Sequence, residues 1–205
     1  NPPFIGKNFQ SPGQKQDLSL LYNDAKGAGN MDYVTAWYLK ASQYLQKHNN
    51  NKTDSDYRTR VAFVSTNSIT QGEQVGILWN ILFNKYNIKI HFAHRTFKWG
   101  NEARANANVH VVIIGFSNFD IEEKSIFVYN DLKGEPHELK VKNINPYLVE
   151  GSNNVLVARE HPVCNVPEML NGNKVVDGGN LILNFGEKEE LIRKEPGAQK
   201  FIRLF

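Results

Sequence analysis

An α/β fold is the class this sequence predicts, and three features predict it. Two amphipathic helical stripes alternate with two short apolar runs between residues 31 and 93, a third apolar run follows after a polar loop, and β-branched residues crowd all three runs. Alternation of this kind favours a mostly parallel sheet covered by helices. The last two strands have no helix between them, so they are expected to pair antiparallel.

The first helix follows from Val34, Trp37, Tyr38, Ala41, Tyr44 and Leu45, which repeat at i, i+3, i+4 and i+7. It ends in a polar tract over residues 48–56. Residues 60–65 then read as a buried strand. Thr70 and Glu73 have capping-box spacing ahead of Val75, Leu78, Trp79, Leu82 and Tyr86, which continue at helical period. A strand over 88–93 follows almost at once, and residues 109–115 are apolar enough to be buried on both faces.

Beyond residue 118 the pattern changes. Residues 124–129 and 138–141 flank the turn-rich 130–135, which predicts a hairpin, and 144–149 form a short connection. A strand is expected at 156–159, a helix at 187–194 and a smaller one at 196–203. Residues 5–29 carry four glycines and read as loop apart from a short helix at 18–22. The division that results is 1–118, 119–155 as a connecting hairpin region, and 156–205.

Composition bounds the rest. The chain has 205 residues, 40% hydrophobic and 22% charged, which is ordinary globular material. No run of eighteen apolar residues and no signal-like start occurs, so an intracellular, cytoplasmic setting is expected. A single cysteine, Cys164, excludes an internal disulfide and a cysteine zinc site, and reads as a small buried residue. His91 and His110 fall inside strands without ligand partners at metal spacing, so no metal site is expected. The net charge of +3 is unevenly spread: residues 30–118 hold ten Lys or Arg against five acids, and 151–205 hold seven against seven. A basic middle suits a polyanion, or is simply a solvated face.

The chain opens on Asn1-Pro2-Pro3-Phe4. Each proline fixes its own φ and pushes the preceding residue toward extended backbone, so the tetrapeptide is stiff. It can hold one side-chain amide, a bare carbonyl and a ring face in fixed relation. Those groups suit a planar heterocycle with an exocyclic amine, whose two hydrogens would go to Asn1 Oδ1 and the Pro2 carbonyl. On its own the tetrapeptide fits a proline-rich lead-in equally well.

Asn1-Pro2-Pro3-Phe4 also resembles the catalytic motif of adenine-specific DNA methyltransferases that modify the exocyclic amine. Asp32-Tyr33 with Ala36-Trp37-Tyr38, then Ser-Thr-Asn-Ser-Ile-Thr-Gln-Gly-Glu-Gln at 65–74, resemble the MmeI-like restriction-modification enzymes, as do His-Phe-Ala-His-Arg-Thr-Phe-Lys-Trp at 91–99, Asn101-Glu102-Ala103 and His-Val-Val-Ile-Ile-Gly-Phe at 110–116. Cys-Asn-Val-Pro-Glu-Met at 164–169, Asp177-Gly178-Gly179 and Glu195-Pro196-Gly197 resemble the region that follows their methyltransferase core.

The resemblance implies the carboxy-terminal half of a class I S-adenosylmethionine-dependent methyltransferase sheet, ending in an antiparallel strand pair. A small α+β segment, the start of a target-recognition region, would follow. The missing initiator Met implies a piece of a longer polypeptide, with the main S-adenosylmethionine motif upstream of Asn1 and no methyl transfer from the piece alone. Double-stranded DNA and the upstream domains of the same polypeptide are the implied partners. Catalysis falls to Asn1, Pro2, Pro3 and Phe4. Phe97, with Trp99 in reserve, would stack on the second face of a flipped adenine, from the loop between the last two strands. Arg95, Lys98 and Arg104 would bracket that loop and contact phosphates. The competing readings are a DNA-binding or specificity module that keeps the motif as a scaffold, and a methyltransferase acting on RNA or on protein glutamine.

Overall fold

The computed structural model describes residues 1–23, 25–49, 57–99, 109–132, 134–157, 159, 162–166 and 182–203. The chain divides into two compact units, Asn1–Ala158 and Arg159–Phe205. In the first unit the order is α1 (Pro12–Tyr22), α2 (Thr35–Asn49), β1 (Val61–Thr66), α3 (Gly72–Asn84), β2 (Lys89–Trp99), β3 (Val109–Ser117), β4 (Lys124–Val128) and β5 (His137–Val141).

The five strands form one sheet in the order β1-β3-β2-β4-β5. Strand β3 runs antiparallel to both β1 and β2, so β1 and β2 point the same way with one reversed strand between them. Strand β4 is parallel to β2 and antiparallel to β5. The α/β class and the antiparallel pairing of β2 with β3 both hold, as does the hairpin over β4 and β5.

Helices α2 and α3 cover one sheet face. From α2 the buried side chains are Thr35, Ala36, Tyr38, Leu39, Ser42, Leu45 and Asn49, so the covered stripe is rotated from the apolar one and leaves Tyr44 exposed. Polar members are tolerated there because they are bonded. Ser42 donates to the Tyr38 carbonyl at 2.8 Å, and Asn49 donates to the Thr59 carbonyl at 2.9 Å. Tyr38 stacks on Phe116 of β3, with centroids 5.3 Å apart, and its hydroxyl meets Ser65 Oγ at 2.8 Å. Trp79 of α3 is fully buried and its indole donates to the Ile69 carbonyl at 2.8 Å. Burying a large apolar side chain contributes about 1.5–3 kcal/mol, and Tyr38 and Trp79 make that contribution on the helix-covered face of the sheet.

On the opposite sheet face Gly115 is required. A Cβ there would lie 2.1 Å from the Phe92 ring, which lies across β3 at that point. Gly76 of α3 is tight for a similar reason, since a Cβ would meet the Leu156 carbonyl at 2.8 Å. Residues 156 and 157 therefore lie directly against α3, and no strand forms at the described residues of 156–159.

Two local expectations are corrected. Helix α1 starts at Pro12, well before residue 18, because Ser11 and Gln14 close a capping box: Gln14 N donates to Ser11 Oγ at 3.3 Å and Ser11 N to Gln14 Oε1 at 2.9 Å. The box expected at Thr70 and Glu73 does not form. Thr70 ends a 3-10 turn, Asn67–Thr70, and its hydroxyl donates to the Asn67 carbonyl, while Glu73 accepts from Asn30 Nδ2.

In the second unit, α4 (Phe185–Lys194) starts on a capping box between Asn184 and Glu187, and a 3-10 turn spans Pro196–Phe201. Cys164 is exposed, contrary to the buried role expected of it, in a bend whose described neighbours 162, 163, 165 and 166 are exposed as well. Residues 177–179 lie outside the described residues, as do 167–169. No helix among the described residues is long and apolar enough to cross a membrane.

Candidate base-binding site

The opening tetrapeptide is held from behind and open in front. Pro2 is buried, Asn1 and Pro3 are exposed, and Phe4 is half-buried against the core. The peptide after Phe4 is the anchor. The Ile5 carbonyl accepts the Tyr33 N–H at 2.9 Å and the Gln10 amide at 3.3 Å, and the same Gln10 nitrogen reaches the Met31 carbonyl at 2.8 Å. Gln10 is buried, so these bonds are shielded from water and hold the loop to the turn that precedes α2. Among the described residues, Asn1 Oδ1 and the Pro2 carbonyl have no hydrogen-bond partner, which leaves two acceptors available on a braced loop.

Behind the loop lies a carboxylate hub. Asp32 Oδ2 accepts from Ser68 Oγ at 2.5 Å and Thr66 Oγ1 at 3.3 Å, and those hydroxyls are 2.8 Å apart. Its backbone N–H donates to Gln74 Oε1 at 3.2 Å, and its Oδ1 would lie 3.7 Å from a Cβ built on Gly6. Asp32 thus ties the carboxy-terminal end of β1, the start of α3 and the loop after Phe4 into one polar cluster. Ser65, at the same end of β1, points into the core at Tyr38.

The residues expected in the loop after β2 belong to the strand itself. Phe97 and Lys98 pair with Val111 and His110, and Trp99 pairs with Val109 as the last residue of β2. Two register shifts, between Ile90 and Phe92 and between His94 and Phe97, let the strand continue through polar sequence that reads as loop. Arg95 is exposed, whereas Lys98 is half-buried with its N–H on the Leu132 carbonyl at 2.9 Å. Arg104 lies outside the described residues.

Phe97 enters an aromatic row that sequence reasoning missed. It stacks on Tyr129 with centroids 4.9 Å apart and planes 19° apart, while His94 stacks on Phe127 at 4.3 Å and 9°. His94 Nδ1 lies 2.8 Å from the Tyr129 hydroxyl, and burial holds the His94 imidazole below its usual range. Burial and the nearby Glu135 charge push the Tyr129 hydroxyl up. The signal was present in the i, i+2 spacing of Phe127, on β4, and Tyr129, just past its end, which favours both rings on one face.

Comparison with known proteins gives matches to two families along the chain. The family described as MmeI, DNA-methyltransferase domain, matches residues 1–128, and the family described as MmeI, target recognition domain, matches residues 150–205. The chain is 38% identical over 206 residues to DNA methyltransferase A of Bacillus subtilis (strain 168), covering 100% of this chain and 22% of that protein. It is also similar to the structure of the Type IIL restriction-modification enzyme MmeI in complex with DNA, at 48% identity and a TM-score of 0.81, covering 98% of this chain and 26% of that one. The chain therefore spans about a quarter of the length of these relatives, and by sequence and fold together it belongs to the MmeI DNA-methyltransferase family.

Proposed function

We propose that this chain is the base-handling part of a site-specific adenine DNA methyltransferase of a restriction-modification system. The observation that carries the reading is the braced loop: Ile5 is fixed through its carbonyl, and the acceptors Asn1 Oδ1 and Pro2 O, four and three residues earlier, are open. Adenine's amine is a weak nucleophile because its lone pair is delocalised into the ring. Two acceptors aimed at its hydrogens draw it toward tetrahedral geometry, and the gain is orientation and electrostatic stabilisation without a metal or a strong base.

The target base would be extruded from the duplex to reach this loop. Phe4 offers one stacking face and Phe97 the other, with Trp99 in reserve. Arg95 and Lys98, and Arg104 from sequence, supply positive charge for the flanking phosphates. S-adenosylmethionine, the cofactor used by DNA methyltransferases, supplies an electrophilic methyl group when bound. The described residues hold no glycine-rich turn between a strand and a helix with an acidic partner for a ribose. They do not fit the cofactor's main pocket, and the share assigned to this chain is the base and the DNA.

The match of residues 150–205 to a target-recognition family supports duplex DNA over RNA or protein as substrate. The test is labelled methyl transfer to mixed-sequence duplex by the polypeptide that carries this chain, alongside Asn1→Ala and Phe4→Ala. Loss of transfer with DNA binding retained supports the reading. A parent that binds DNA and transfers nothing makes the motif a scaffold within a binding module.

A further inference from the structure

Gln10 inverts the usual order of burial. Between residues 7 and 13 every side chain is exposed except that of Gln10, which is 7% exposed, while the ring of Phe9 beside it stands in solvent at 86%. An amide inside and an apolar ring outside is the reverse of what transfer from water favours, so hydrogen bonding holds this position and burial of apolar area does not. Both hydrogens of Gln10 Nε2 are used. The amide donates to the Met31 carbonyl at 2.8 Å and to the Ile5 carbonyl at 3.3 Å.

The two acceptors belong to different parts of the fold. Met31 is fully buried and leads into α2, so its carbonyl is a fixed point. Ile5 belongs to the opening loop. Among the described residues Gln10 is the one side chain that hydrogen-bonds any of residues 1–5, and the other bond there is the Tyr33 N–H on the same Ile5 carbonyl. Gln10 is itself held by its backbone. It lies between the turn Lys7–Phe9, closed by the Phe9 N–H on the Gly6 carbonyl at 2.9 Å, and Ser11, the N-cap of α1. From Ile5 back to Asn1 the chain is stiff. The prolines at 2 and 3 fix their own φ and restrict the residue before each, and Phe4 packs partly against the core. A displacement at Ile5 therefore reaches the Pro2 carbonyl and Asn1 with little damping.

We propose that Gln10 is a positioning residue for methyl transfer, setting through Ile5 where the Asn1 and Pro2 acceptors stand relative to the target amine. The proposal rests on the methyltransferase reading above and deepens it. Gln10 touches neither the base nor the cofactor in this role. It bridges two carbonyls that only accept and so cannot bond each other. Without the bridge Tyr33 is the single bond to Ile5 and the loop is free to shift, and a displacement of about 1 Å at reacting groups costs on the order of 10²-fold in rate.

The experiment uses the polypeptide that carries this chain and measures single-turnover methyl transfer at saturating mixed-sequence duplex, with duplex binding and the urea midpoint in parallel. Gln10→Met keeps the length of the side chain without its donors. It is expected to lower the rate about 10- to 100-fold, with the DNA dissociation constant within about twofold of the parent's. Gln10→Asn keeps an amide that is one methylene shorter. It is expected to recover part of the rate while staying several-fold below the parent, and it carries the test should Gln10→Met lose its fold. Leu82→Ala, a core truncation on α3, lowers the midpoint through lost packing and is expected to leave the rate within about twofold of the parent's, which separates positioning from stability. A rate within about twofold of a methylating parent in both Gln10 variants overturns the positioning role and leaves the methyltransferase reading intact. So does a loss of rate matched by an equal loss of DNA binding, or reproduced by Leu82→Ala at an equal fall in midpoint. A parent that binds duplex DNA and transfers no methyl group overturns the methyltransferase reading, and the positioning role with it.

Discussion

Thr66 of β1 and Phe97 of β2 flank the same residue, Val111 of β3, in one row across the sheet. Two strand spacings separate them, about 10 Å. Thr66 is bonded to Asp32, whose neighbour Tyr33 holds the Ile5 carbonyl, so the opening loop and Phe97 sit at the same end of the sheet. That row is the geometric basis for proposing Phe97 as the second stacking face.

Phe97→Ala is accordingly expected to slow single-turnover methyl transfer by about 5- to 150-fold, the worth of one base–aromatic stack. Phe97→Tyr should keep most of the rate. Duplex binding measured in parallel should change less than the rate. A rate within twofold of the parent for Phe97→Ala would reduce Phe97 to a packing partner of Tyr129.

Asp32→Ala tests the hub behind the loop. It leaves the Thr66 and Ser68 hydroxyls without their shared acceptor, in a part-buried setting where each lost partner costs about 1–3 kcal/mol. The urea midpoint should fall with the slope unchanged. Asp32→Asn should recover part of the loss, because an amide oxygen still accepts from one hydroxyl. A midpoint equal to the parent's for both variants would show that the hub carries no stability.

The elements that sequence reveals well are those with strong periodicity. Helix α3 and strand β3 are both legible from their apolar spacing, and the β4–β5 hairpin from its polar turn. Helix α1 is not, because only Leu18 and Tyr22 of it are buried and its start is set by a Ser11–Gln14 box beside Gly13. The box at Thr70 misled for the opposite reason, since tertiary partners claim its members: Glu73 turns to Asn30, 43 residues away. The same applies at the site. The opening tetrapeptide is visible in sequence, but its anchors Gln10, Met31 and Tyr33 and the Asp32 hub come together through contacts of up to 42 residues separation, which no local pattern encodes.

Gly115→Ala probes the back of the sheet. The new methyl would overlap the Phe92 ring, which must leave its place over β3. Overpacking of this kind costs about 1–3 kcal/mol. The thermal midpoint should drop, and Phe92→Leu on the same background should restore part of it by clearing the space. Additive losses in the double variant would mean that the two residues do not meet.

Acid stability should be governed in part by His91. Its Nε2 lies 2.8 Å from the Phe119 carbonyl and therefore carries the proton in the neutral ring, leaving Nδ1 buried with no partner. Burial holds this imidazole below its usual range, opposed by the Phe119 carbonyl and Asp120 and reinforced by Arg60 and Lys124. His94 is lowered by burial as well. In the unfolded chain both titrate near pH 6.5, so as pH falls through about 6.5 the unfolded state takes up protons that the native state refuses. Stability is therefore expected to be flat above about pH 7.5 and to decline on acidification from about 6.5, until the native histidines themselves protonate. His91→Gln keeps a donor for the Phe119 carbonyl and removes the titration. Its urea midpoint should fall less steeply between about pH 6.5 and 5 than the parent's, and equal slopes would show that the burial of His91 is not linked to folding.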